Sequence, residues 1–165
     1  MYEVDEKDEV LELKGVPWPN GGAPEPIVLA SEYDILLAYE LLERPEEWDD
    51  ADSEKEAVAI VKFDFCDAHM FGPPNDEAFS GHPLYERGLQ YYSLAEIRHS
   101  SWIRKLERMN SVHPNHDKTR FFEGLKHYIF AFHDSTFECI AKGFEIEVYE
   151  GSVKNMIPRM AENIR

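Results

Sequence analysis

Cysteine is nearly absent from this chain: Cys66 and Cys139 are the only two in 165 positions. Two distant thiols make neither a disulfide framework nor a CxxC pair, and their scarcity points to a reducing cytoplasm. Long hydrophobic runs are missing as well. No stretch approaches the roughly 20 apolar residues of a membrane span. The start, Met1-Tyr2-Glu3-Val4-Asp5, is acidic and lacks an apolar core, so no secretory leader is expected. Positive charge is also short, with 17 Lys and Arg against 33 Asp and Glu, a net of −16. Phosphate neutralisation needs a basic surface, so nucleic acid is not an expected partner. There is no glycine-rich phosphate loop, Rossmann fingerprint, GxSxG elbow or HExxH pair, and the enzyme classes those motifs mark are set aside.

What is present suffices for a folded unit. With 43% hydrophobic and 13% aromatic residues the chain can build a core, and its length suits a single domain over residues 1–165. The charge is unevenly placed. Residues 1–56 hold 18 acids and 4 bases, whereas residues 87–126 hold 8 bases and 4 acids. Such polarity suits an acidic, solvated surface, or a charged face that docks a protein partner. It also permits the acidic third to dock onto the basic stretch within the molecule.

Residues 1–8 read as a frayed acidic end, and 43–56 (ERPEEWDDADSEKE) as an acidic loop insert anchored by Trp48. Short strands are expected at 10–13 and 27–30, separated by a loop rich in Pro and Gly. Residues 33–42 are ambiguous. Ser31 with Asp34 resembles a capping box, but the nearly continuous apolar run favours a strand in hairpin with 27–30. From 57 to 71 a long strand is expected, with Val61, Phe63, Phe65 and Phe71 on one face and a bulge at 67–69. Ser100 is the expected N-cap of a helix with a stripe of Trp102, Ile103, Leu106 and Met109, and Asp117 that of a short second helix. With turns at 134–135 and 142–143, nine residues of three successive segments share one buried face. They are Tyr128, Phe130 and Phe132, then Phe137, Cys139 and Ala141, then Phe144, Ile146 and Val148. That agreement fixes the register and predicts an α+β fold with a C-terminal three-stranded antiparallel meander. Pro158 belongs in a helix's first turn, so Asn155 is the expected cap of a final helix.

All seven histidines fall between His69 and His133. Histidine titrates near neutrality, which makes it the natural carrier of general acid–base work. Residues 72–90 form a long Gly- and Pro-rich loop bearing Asn75, Asp76, Glu77, His82, Tyr85 and Arg87. Loops of this length are functional or pack down on their own apolar residues, here Phe79, Leu84 and Leu89. His113-x-x-His116-Asp117 has ligand spacing, but Pro114 breaks helical presentation, so a turn and N-cap are expected rather than a metal. The acidic 50–56 run lacks the Gly and Glu positions of a calcium loop. No metal and no cofactor are expected. The face of the meander opposite the core carries His127, His133, Thr136, Glu138, Glu145 and Glu147, as a solvent-facing sheet or an acid–base patch.

The runs FGPPND at 71–76, GHPLY at 81–85 and FHDSTFEC at 132–139 resemble a family of uncharacterised bacterial proteins over about residues 57–141. The resemblance implies that 72–90 and 133–139 belong to one site; it implies no activity. Two expectations follow. In the first, a small cytoplasmic, non-enzymatic protein binds another macromolecule through a charged surface. In the second, a hydrolytic or proton-transfer enzyme has a pocket under the 72–90 loop. There His82 is acid or base, His133 its partner and Asp134 or Glu138 the orienting carboxylate, with Asn75, Asp76, Tyr85 and Arg87 on the ligand.

Overall fold

The computed structural model of the chain describes residues 2–46, 48 and 56–164. Most of the acidic 43–56 insert, including the 50–55 run, therefore lies outside the described residues. Among the described residues, nine strands form two antiparallel sheets. These are β1 (Glu9–Glu12), β2 (Ile27–Ala30), β3 (Ile35–Glu40), β4 (Ala57–Asp64), β5 (Ala68–Gly72), β6 (Leu94–Arg98), β7 (Lys126–Ala131), β8 (Thr136–Ala141) and β9 (Gly143–Glu150). One sheet runs β1-β6-β7-β8-β5 and the other β2-β3-β4-β9. With the helices α1 (Ser101–Asn110), α2 (Lys118–Phe122) and α3 (Val153–Glu162), the fold is α+β. Among the described residues no helix is long and apolar enough to cross a membrane.

The sheets face each other across a central core that holds all nine residues of the periodic pattern. The segments β7, β8 and β9 follow one another as expected, and β7 pairs with β8. The chain then turns a corner at Lys142, so that β9 lies beside β4 in the second sheet. Residues 27–30 and 35–40 form the expected hairpin, with Ile27 opposite Ala38. The long strand expected from 57 to 71 is instead two strands. At Phe65 (φ 51°) the chain leaves the second sheet, and β5 pairs with β8 in the first. Phe65 and Phe71 consequently lie exposed rather than on a core face.

Each sheet is covered on its outer side too. Val153, Met156 and Met160 of α3 pack on Leu36, Ala38, Val58 and Ile60. Trp102 and Ile103 of α1, with Phe79, Leu84 and Leu89 of the 72–90 loop, cover Ala95, Ile97, Ile129, Ala131 and Ile140. Strands buried on both faces read as continuous apolar runs rather than alternation. That is the pattern of Tyr128-Ile129-Phe130-Ala131 and of Ala57 to Val61. The solvent-facing side expected for β7 and β8 is thus under cover: His127, Thr136 and Glu138 are buried, while Glu145 and Glu147 of β9 are exposed.

Helix α1 begins as expected, with the Ser100 side chain accepting from the Ile103 amide. Asp117 likewise caps α2, accepting from the Arg120 amide. The last helix starts earlier than expected, at Val153, and contains Pro158 in its interior. Val153 extends the buried stripe of Met156 and Met160 by one turn, a gain in apolar burial that offsets the backbone bond Pro158 cannot make.

Candidate functional site

The 72–90 loop and the 133–139 segment meet. The Asp76 amide donates to the His133 carbonyl (2.9 Å), and the Thr136 hydroxyl donates to the Pro74 carbonyl (2.9 Å). Two separate polar groups lie along this seam, one buried and one at the surface.

The buried group centres on Glu138, which β8 turns outward beneath the loop. Its carboxylate accepts from the Tyr2 hydroxyl (2.6 Å), from His82 Nε2 (3.1 Å) and from His127 Nε2 (3.0 Å). The tautomers follow from the other ring nitrogens. The Leu84 amide can only donate, so His82 Nδ1 is an acceptor, and that ring is neutral with its proton on Nε2. Ser100 Oγ accepts from the Ile103 amide and lies 2.9 Å from His127 Nδ1, free to donate its proton there. Burial, opposed by Glu138, holds the His127 pKa down and keeps that ring neutral. Burial by itself would raise Glu138, but hydrogen bonds from His127 and His82 outweigh it and bring the pKa to about 2. Burial and the neighbouring Glu138 charge push Tyr2 up, so its hydroxyl stays a donor.

This group positions the basic helix α1. Ser100 precedes the helix, Tyr2 stacks on Trp102 (5.3 Å between rings), and both Tyr2 and Trp102 meet the His127 ring edge-on. Asp8, fully buried, accepts from the Ser101 amide at 2.6 Å, placing a carboxylate at the helix N-terminus, where the dipole favours it. Arg104 pairs with Asp5 (2.7 Å) and approaches Asp8 (3.6 Å). Of the 1–8 end expected to fray, residues 2–8 are therefore bound down beside α1. The reason is that their acids and Tyr2 find partners there. Arg87, expected on a ligand, does the same work, donating to the Glu6 and Asp8 carbonyls.

The surface group is Asp76, Tyr92 and His133. Tyr92 Oη donates to Asp76 Oδ2 (2.8 Å), and His133 Nδ1 lies 2.9 Å from the same oxygen and 2.5 Å from the phenol. A proton on His133 Nδ1 satisfies both acceptors and leaves Nε2 outward, 3.9 Å from Asp134 Oδ1. The Tyr92 hydrogen bond, then the His133 ring, hold the Asp76 pKa below the usual carboxylate range, and Asp76 raises Tyr92 in return. Tyr92 sits at φ 54°, an uncommon conformation for an aromatic residue. Asn75 caps the following turn by accepting from the Ala78 amide, and Tyr85 packs on the outer core.

The residues expected to work together are thus divided. His82 pairs with Glu138 inside, with both ring nitrogens engaged. His133 pairs with Asp76 and Asp134 at the surface. Tyr2, Asp8 and Tyr92 were not foreseen, since each is joined to its partner across long stretches of chain. His116 bonds Glu107 (3.0 Å) rather than acting with His113. Among the described residues no cluster of His, Cys, Asp or Glu is arranged to hold a metal.

Beside α1 lies an open cleft of about 620 Å³. Its floor is apolar: Ile97, Ile103, Phe122 and Leu125. Its rim carries Lys7, Arg98, His99, Arg104 and Lys126 against a single acid, Glu96. Lys126 reaches Glu96 at 3.4 Å, and Arg104 is drawn to Asp5, whereas Lys7 and Arg98 extend from exposed positions. Ser100 lines this cleft, so the Glu138 group and the cleft wall share one hydrogen-bonded connection. Compared with protein-family models, with curated proteins and with solved structures, the chain matches none.

Proposed function

We propose that this is a non-enzymatic binding protein whose working surface is the cleft beside α1, and that its partner is an acidic, partly apolar segment of another protein. The observation that carries the reading is an apolar floor inside a cationic rim on a molecule of net charge −16. Screening confines that net charge to about 8–10 Å at physiological salt, so the rim governs what a docking segment meets at contact. An apolar anchor removes Phe122 and Leu125 from water above the buried Ile97 and Ile103, while its flanking carboxylates meet Lys7 and Arg98. Glu96 on the rim is committed to Lys126, and Asp5 and Asp8 to Arg104. Asp5 and Asp8 therefore serve contacts within the protein, and Lys7 and Arg98 leave positive charge at the cleft rim.

A short fluorescent peptide alternating Glu and Leu tests this. Its binding, read by anisotropy, is expected to weaken as salt rises and to fall about tenfold or more in the double variant Lys7→Glu/Arg98→Glu. A Lys and Leu peptide binding equally well, or indifference to the charge reversal, would overturn the reading.

A second reading rests on the outward Nε2 of His133. A histidine held by a carboxylate at Nδ1, with its other nitrogen at the surface and only an exposed carboxylate 3.9 Å away, is competent for general base work. It predicts p-nitrophenyl acetate hydrolysis faster than that by equimolar imidazole, and lost in His133→Gln. A rate no greater than that of imidazole discards it.

A further inference from the structure

The two cysteines lie far apart in sequence but side by side in the fold. Cys66 occupies the corner where the chain passes from β4 to β5. Register brings that corner to β8: the Asp67 amide donates to the Ile140 carbonyl at 2.8 Å, and His69 stands opposite Cys139. Both sulfurs belong to the central core, Cys139 wholly buried and Cys66 half-buried and packed at its margin. Neither is held in a disulfide.

We propose that Cys66 and Cys139 form a peroxide-reactive dithiol that closes to an intramolecular disulfide. Three observations support it. First, the two side chains pack in one core where β5 joins β8, so closure calls for local adjustment rather than refolding. Second, they differ in the sense that nucleophile and resolving thiol require. The Cys139 side chain lowers the Cys66 pKa against the opposing effect of burial, while burial and Cys66 push Cys139 well up. The Cys66 sulfur also bonds the Ala68 carbonyl (3.3 Å), which holds it in place. Third, Cys66 is only half-buried, so a small oxidant can reach it while Cys139 stays enclosed.

The chemistry balances with a hydroperoxide as sole co-reactant. The Cys66 thiolate attacks one peroxide oxygen, and the O–O bond breaks. The other oxygen leaves with the Cys66 proton as water, or as an alcohol from an organic peroxide, and Cys66 becomes a sulfenic acid. The Cys139 sulfur then attacks Cys66, the S–S bond forms, and the sulfenic hydroxyl departs with the Cys139 proton as a second water. Two thiols lose two electrons in all, and one peroxide gains them.

Intact-protein mass spectrometry on the full chain treated with hydrogen peroxide reads the outcome. The expected result is loss of the mass of two hydrogens in the monomer, with a non-reduced peptide map joining Cys66 to Cys139. In Cys139→Ser, dimedone is expected to label Cys66. In Cys66→Ser, Cys139 is expected to stay reduced. Two free thiols after peroxide has fully oxidised a cysteine control, disulfides only between molecules, or dimedone on Cys139 instead of Cys66 would each overturn the proposal.

Discussion

Glu138→Ala is expected to destabilise the protein by about 3–5 kcal/mol and to lower its melting midpoint by on the order of 10 °C. The loss is large because one carboxylate satisfies three buried donors: Tyr2 Oη, His82 Nε2 and His127 Nε2. Alanine leaves all three facing a gap, and each unmade bond carries the desolvation cost of its donor. Tyr2→Phe removes one donor and leaves the carboxylate two, so about 1 kcal/mol is expected. Acid supplies an independent check. The His127 pKa lies below its ordinary 6.5, so below that pH the unfolded chain takes up a proton the folded one refuses. Glu138 lies near 2 against an ordinary 4.5, and its stabilisation is lost as pH falls across that interval. Both groups therefore make stability decline with falling pH. Urea titrations from neutrality to pH 3 are expected to show a steeper acid loss in the wild type than in Glu138→Ala. A loss below about 1 kcal/mol in the alanine variant would mean that water replaces the carboxylate at no cost.

How far the sequence carried depends on the range of the interaction. Helix caps are local, and Ser100 and Asp117 cap where their spacing to the apolar stripe predicts. The β2–β3 hairpin is equally local. Periodicity placed nine residues from Tyr128 to Val148 on the buried face, yet it could not say which strand β9 pairs with. A residue's face depends on the alternation within its own strand, while its neighbour is chosen elsewhere in the chain. Beside β8 or beside β4, Phe144, Ile146 and Val148 fill the same central core. The double burial of β7 was missed: alternation put the His127 side opposite the core, although Tyr128-Ile129-Phe130-Ala131 is a run with no polar alternation. For the candidate site, spacing within the 72–90 and 133–139 segments named His82, Glu138, Asp76 and His133 but not their pairing. Tyr2 meets Glu138 across 136 residues and Asp8 meets Ser101 across 93, and nothing in the local pattern of an acidic N-terminus marks such partners. Separation along the chain likewise hid the placing of Cys66 and Cys139 in one core.

Phe63→Ala is expected to cost about 3–5 kcal/mol, with most of the loss arising as a cavity between the sheets. Phe63 lies on β4 at the centre of that core, its ring 5.4 Å from Phe137, 5.8 Å from Phe130, 5.9 Å from Phe144 and 6.0 Å from Tyr128. These partners come from three strands in both sheets, so no single strand can move in to close the gap. Phe63→Leu, which keeps most of the volume, is expected to cost less than about 1.5 kcal/mol. The two variants also separate stability from binding. The cleft floor of Ile97, Ile103, Phe122 and Leu125 lies on the far side of the first sheet, in the outer core rather than the central one. Sites that share no partners behave additively. Below its lowered midpoint, Phe63→Ala is therefore expected to bind the Glu and Leu peptide within about twofold of the wild type. Glu138→Ala is expected to weaken that binding, because it frees His127 and with it Ser100 at the cleft wall. Equal weakening in both variants would show that the cleft responds to global stability and not to the hydrogen bonds that position α1.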